Sequence, residues 1–160
     1  MKRTYFTAAL GYVLFAGLAQ STLAAPVKTA GLYCWTGDIE YIATTKKDMG
    51  WSWSIDLTYF PDDKDPEKAA SGRCFGTGGM IAGKAESSAE FCIIKSKDGS
   101  TYMSRIIGGA EGNKGMFFGG TGTYEGITGG SVGGPRVSAP AEKGKLAACR
   151  HVEAEFTTGE

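Results

Sequence analysis

The stretch Phe117–Gly130, FFGGTGTYEGITGG, limits what the chain can fold into more than any other segment. Glycine costs roughly 1 kcal/mol at each helix-interior position, so six glycines in fourteen residues leave no helix standing there. The aromatic and β-branched residues between them favour a pleated surface. The segment reads as a strand, a glycine-dense turn and the start of a second strand. Beyond residue 25 no helical apolar pattern longer than one turn occurs. Seven or eight short strands separated by turn signals predict an all-β fold: a single small antiparallel β-barrel of about eight strands, with a β-sandwich as the alternative.

The N-terminus has the pattern of a secretory signal. Lys2 and Arg3 form a positive start, Tyr5 to Leu18 is largely apolar, and Ser21 to Ala25 supplies small residues before Pro26. Cleavage after Ala24 divides the chain into a signal peptide, 1–24, and one barrel domain, 25–160. The apolar run is shorter than the roughly 20 residues that span a bilayer, so no membrane span is expected after cleavage. Loss of Lys2 and Arg3 from the 17 basic residues leaves 15 against 17 acidic ones, a formal charge of −2. With no basic cluster to neutralise phosphates, nucleic acid is excluded as a partner. The expected location is secreted or periplasmic.

All four cysteines, Cys34, Cys74, Cys92 and Cys149, follow the signal, an even number that predicts disulfides in an oxidising compartment. If Gly83 centres a hairpin turn, Cys74 faces Cys92. Cys34 lies on the first strand and Cys149 on the last, which are neighbours in a closed barrel. The expected pairs are therefore Cys74–Cys92 and Cys34–Cys149. No CxxC pair offers zinc-ligand spacing, so no metal is expected.

Leu32 to Thr45 reads as a strand bent or bulged at Gly37, with Asp48–Gly50 as the turn that follows. WSWSIDLTYF carries the clearest period-two signal. Trp51, Trp53, Ile55, Leu57 and Tyr59 share one face, and Ser52, Ser54, Asp56 and Thr58 the other. Pro61–Gly72 is a polar loop with one helical turn capped by Asp65. Its acids lack the spacing of a calcium loop. GGMIAGKA, residues 78–85, imitates a phosphate-binding loop but has Ala85 where a hydroxyl must ligate magnesium, and no long helix after it. Turns are expected at Lys97–Ser100 and Gly108–Gly115, strands at Met116–Gly119 and Tyr124–Thr128, and a long irregular crossing or an exposed loop over Gly129–Lys145. The last strand, Leu146–Thr157, places Ala148, Arg150, Val152 and Phe156 on one face. Cys149, His151, Glu153 and Glu155 fall on the other.

At FFGGTGTYEGITGGS the chain resembles the allene oxide cyclase and dirigent barrel superfamily, whose members carry a GGTGxYxGxxG turn between neighbouring strands. The resemblance implies an eight-stranded antiparallel barrel with an apolar cavity. It also implies a homo-oligomer, often trimeric, and either cyclisation of a lipid epoxide or guidance of phenolic coupling. The paired cysteines are not part of that motif, and the family's polar cavity residues do not align onto this chain. The fold is transferred and the activity is not.

Candidate catalytic residues are few. His151 is the sole histidine, with Glu153 and Glu155 on its face. Arg150 is a guanidinium on an otherwise apolar inward face, which demands a partner; Asp38, Glu40 and Glu125 are candidates, with Tyr41 or Tyr124 as hydrogen-bonding groups. Arg105 shares a face with Met103 and Ile107. Trp51, Trp53 and Tyr59, with Arg105 and Arg150, form the candidate ligand wall. No serine nucleophile motif, histidine pair or dinucleotide fingerprint is present, and no cofactor is expected. The leading expectation is an exported, disulfide-stapled barrel that binds a small apolar or aromatic molecule. The alternatives are a cofactor-free cyclase or isomerase, and a non-catalytic surface or effector-like interaction protein.

Overall fold

The computed structural model describes residues 25–43, 45–109 and 111–159, so the expected signal peptide lies outside the described residues. The strands are β1 (Val27–Ala43), β2 (Met49–Pro61), β3 (Ala70–Ile81), β4 (Lys84–Ala85), β5 (Ser88–Ser96), β6 (Thr101–Gly108), β7 (Asn113–Phe118), β8 (Thr128–Gly133), β9 (Val137–Ser138) and β10 (Lys145–Thr157). Eight of them form a closed antiparallel barrel in the order β1-β2-β3-β5-β6-β7-β8-β10, with β10 returning to β1 from Val27↔Phe156 to Asp38↔Lys145. Closure leaves no free edge and rules out the sandwich. The two-residue strands β4 and β9 pair with β3 and β10 outside this circuit. Short 3₁₀ turns occur at Pro66–Lys68, where Asp65 caps the Glu67 amide at 3.0 Å, and at Gly122–Tyr124. Among the described residues, no helix is long and apolar enough to cross a membrane.

Period-two alternation decides which side chains face the lumen. Ile55, Leu57 and Tyr59 of β2 are buried, while Asp56, Thr58 and Phe60 between them are exposed. On β10, Ala148, Arg150 and Val152 are buried, and His151 and Glu153 are exposed. Both expected disulfides form, on opposite sides of the wall. Cys74–Cys92 joins β3 to β5 within the core, its cysteines 0% and 2% exposed. Cys34–Cys149 joins β1 to β10 at outward positions across the seam that closes the barrel.

Several local expectations are corrected. Gly37 is not a bulge, because β1 pairs without interruption with both β2 and β10 through it. A Cβ there would lie 2.1 Å from the Ser54 carbonyl oxygen, so this glycine lets two coiled strands approach closely. The first turn is Thr45–Asp48 rather than Asp48–Gly50, fastened by the Lys47 and Asp48 amides donating to Thr45 Oγ1. The turn after β6 is shorter than Gly108–Gly115, with the Gly109 amide donating to the Gly112 carbonyl and β7 starting at Asn113. Tyr124–Thr128 is not a strand: the 3₁₀ turn replaces it, and β8 starts at Thr128. The crossing over Gly129–Lys145 contains β8 and β9.

The β3 hairpin reaches its expected pairing by a different route. Its turn is Ala82–Gly83, both at positive φ (51° and 79°), the mirror-image two-residue turn that suits twisted strands. From Met80↔Ala85 to Thr77↔Ala89 the pairing advances three residues on β3 and four on the other strand. This one-residue bulge sets Cys74 opposite Cys92.

Candidate functional site

One end of the barrel is filled by its own side chains. Tyr33 stacks on Tyr59 at 4.9 Å, and Tyr102 packs against Phe117 at 5.2 Å and Tyr124 at 4.7 Å, with Phe156 beyond. The Phe117–Gly130 segment supplies much of this floor, since its 3₁₀ turn folds beneath the barrel and buries Ile127 to 3% exposure. Asp98, in the β5–β6 turn, fixes that fold. It accepts from Ser96 Oγ (2.5 Å), the Ser100 amide (2.9 Å) and Thr123 Oγ1 (3.2 Å), and Ser100 Oγ accepts from the Thr123 amide. These bonds hold the Asp98 carboxyl down at about 2. At the floor, burial pushes the Tyr33 phenol up to about 12 and Tyr102 well above its ordinary value, so both hydroxyls are neutral.

The other end holds a cavity of about 350 Å³ that opens between Ala85–Glu86, Gly108–Gly109 and Arg136. Its apolar wall is Trp35, Ile39, Trp51, Trp53, Ile55 and Leu146. The space exists because the indoles lie against glycines of β3 instead of filling the lumen. Trp53 pairs with Gly76, where a Cβ would sit 2.2 Å from the indole, and Trp51 pairs with Gly78, where it would sit 2.6 Å away. Gly76 in turn pairs with Glu90 of β5, so the Trp53 indole crosses the glycine and its Nε1 donates to Glu90 Oε2 at 2.6 Å.

Glu90 and Arg150 are the charged groups set deepest in this cavity. Burial pushes the Glu90 carboxyl up, opposed by the indole hydrogen bond and the Arg150 charge. Arg150, 5% exposed, donates from Nη2 to the Gly109 carbonyl at 2.6 Å, its stem passing Gly133, where a Cβ would meet Arg150 Cδ at 2.6 Å. Burial and then the Arg136 charge pull the Arg150 value down, and Glu90 opposes both. A guanidinium nonetheless stays protonated at neutral pH. Although Glu90 Oε1 lies 3.3 Å from Cys92 Sγ, that sulfur is committed to the disulfide with Cys74, so the group has no thiolate to offer a metal.

The structure brings Trp51, Trp53 and Arg150 together on the cavity wall. Tyr59 faces inward but belongs to the floor, where its hydroxyl lies 2.7 Å from Thr29 Oγ1 and donates to the Ala30 carbonyl. Arg105 is exposed, opposite Phe91 and Met116 on the outer face, so it does not reach the lumen. His151 and Glu153 are also outside. His151 Nε2 lies 2.8 Å from Asp62 Oδ2, not against Glu153. Asp38 is bound to Lys145 on the surface, and Glu40 is exposed. The acid beside Arg150 is Glu90, which sequence reasoning passed over. Its signal was parity, because Glu90, Cys92 and Ile94 alternate along β5 and the latter two are buried.

No protein-family profile matches the chain, and no curated protein matches it in sequence. Solved structures do. The pterocarpan synthase dirigent protein GePTS1 superposes with a TM-score of 0.52 at 13% identity, over 86% of this chain and 93% of that one. The pterocarpan synthase dirigent protein PsPTS1 gives 0.52 at 11% identity, over 86% and 98%. The chain thus has the dirigent-type barrel fold, as the glycine-rich motif implied.

Proposed function

We propose that the protein is an exported barrel whose open end binds a small apolar or aromatic molecule. The observation that carries this reading is the cavity of about 350 Å³ walled by three tryptophans and kept open by Gly76 and Gly78. Two disulfides in one domain fit an oxidising compartment, and residues 1–24 have the pattern of the signal that would deliver it there. A second reading, a cofactor-free cyclase or isomerase, is favoured by Glu90 and Arg150 in the same lumen. A carboxyl held toward its neutral form can give or take a proton, and a guanidinium can stabilise an enolate. The interaction-protein reading draws on exposed Phe75, Phe91 and Ile93 on the outer face, which also suit self-association.

Native mass spectrometry of protein purified from its natural source tests these together. The expected result is a chain starting at Ala25 that carries a non-covalent small molecule released by organic solvent. A chain that is always empty, and that takes up no aromatic compound when challenged, sinks the binding and catalytic readings and leaves the interaction protein. The same spectrum gives the oligomeric state.

A further inference from the structure

Arg150 has a second cation beside it, and the backbone puts it there. After β8 the chain turns back along β10: the Gly134 amide donates to the His151 carbonyl at 3.0 Å, and Val137 pairs with Cys149. Residues 134–137 therefore run past residues 151–149, which sets Arg136 alongside Arg150. Both side chains line the mouth of the cavity, Arg150 buried below and Arg136 exposed at the rim. Like charges side by side oppose each other, and the Arg136 charge acts on Arg150 more strongly than Glu90 does in the opposite sense. Arg136 makes no ion pair among the described residues. The acids of the cavity stand elsewhere. Glu90 is on β5, across the lumen from β10, and its Oε2 is taken by the Trp53 indole. Glu86 follows β4, which pairs with β3, across the circuit from β8. One flank of the mouth is thus basic. Asn113 of β7, half-buried, belongs to that flank: its Oδ1 and the Arg150 Cδ close on the point a Cβ at Gly133 would occupy, at 2.2 and 2.6 Å.

We propose that Arg136, with the Arg150 charge beneath it and Asn113 beside it, forms a carboxylate-binding site at the cavity mouth, so that the ligand is an apolar or aromatic carboxylate whose body lies against the Trp51 and Trp53 wall. This rests on the cavity-binding reading and adds a charge requirement to it. Arg136 makes the contact, because it is the exposed member of the pair and its planar fork matches a carboxylate. Arg150, held to the Gly109 carbonyl, contributes charge. A carboxylate between them relieves the repulsion of the two guanidiniums, whereas a neutral ring leaves it in place.

Calorimetric titration of the full mature chain at neutral pH with 2-naphthoate, and with 2-naphthamide as its neutral match in shape, separates the two ideas. The wild type is expected to bind both and to prefer the naphthoate. Arg136→Gln should weaken the naphthoate by about three- to ten-fold, between the worth of an exposed ion pair and that of a hydrogen bond to a charged group, and leave the amide within about two-fold. Arg136→Lys, which keeps the charge and loses the fork, should fall between them. Since Arg136 is exposed, both variants should melt with the wild type, and added salt should weaken the naphthoate alone. If neither compound binds the wild type, the cavity reading falls and the carboxylate site with it. If the amide binds as tightly as the naphthoate, or if Arg136→Gln changes the two alike, the carboxylate site is overturned and the cavity reading stands.

Discussion

The two ends of this barrel are built from the same alternation of inward residues and put it to opposite uses. At the floor, inward positions carry Tyr33, Tyr59, Tyr102 and Phe117, whose rings meet and fill the lumen. At the mouth, inward positions carry Trp51 and Trp53, which are larger, yet the lumen stays open. The difference lies in the neighbouring strand. Trp53 faces Gly76 and Trp51 faces Gly78, so each indole turns sideways over a residue without a side chain. The lesson is that ring size does not decide whether a small barrel is filled. What decides it is whether the adjacent strand leaves the ring somewhere else to go.

The largest expected effect breaks the floor. Phe117, 5% exposed, touches Tyr102 and Phe156, so Phe117→Ala removes a ring from a packed cluster and should cost about 3–5 kcal/mol in urea unfolding. Trp51→Ala, at the half-exposed mouth, should cost much less. Equal losses at the two ends would show that the mouth is packed like a core and is not a ligand wall.

A smaller effect is expected from filling the mouth. Gly76→Ala puts a methyl group where the Trp53 indole lies, and the strand backbone behind it leaves the indole only the lumen to move into. Overpacking of this kind costs about 1–3 kcal/mol. It should also break the bond to Glu90 and red-shift the tryptophan emission. In a Trp53→Ala background the same Gly76→Ala change should cost little, because the clash is then absent. A Gly76→Ala protein that is unchanged in emission and stability would refute the account of how the cavity is kept open.

How much of this was legible in the sequence follows from the same physics. Barrel, face assignment and both disulfides were readable because strand parity is strict, and a run such as WSWSIDLTYF fixes it unambiguously. Turn positions were less legible. Ala82 at φ 51° carries no glycine to announce it, and the bulge after Ala85 is a one-residue pairing shift with no residue signature. The cavity itself was illegible, because it depends on which residue of β3 stands beside each tryptophan. Glu90 was missed because an acid flanked by Phe91 and Ala89 reads as a solvated face until its parity with Cys92 is applied. Arg105, by contrast, has the apolar neighbours Met103 and Ile107 on a face that turned out to be the outside.

The smallest and most discriminating prediction concerns acid, to which the two ends should respond with opposite signs. Asp98, below the floor, is held down at about 2, so the stability it gives is present above the ordinary carboxylate value of 3.8 and is lost as pH falls through about 2. Glu90, in the cavity, is raised above 4.5. The folded state therefore binds its proton more tightly than the unfolded chain, and its contribution is fully present below 4.5 and lost as pH rises through the folded value. Glu90→Gln keeps an acceptor for the Trp53 indole and removes the ionisation. Its melting temperature relative to wild type should therefore climb as pH is raised from 4.5, and show no advantage below it. Asp98→Asn should do the reverse, losing ground to wild type above pH 3.8 and converging with it in strong acid. A Glu90→Gln variant whose deficit or advantage is constant across that range would mean the carboxyl is not buried in the cavity at all, and the cyclase or isomerase reading would then lose its buried acid.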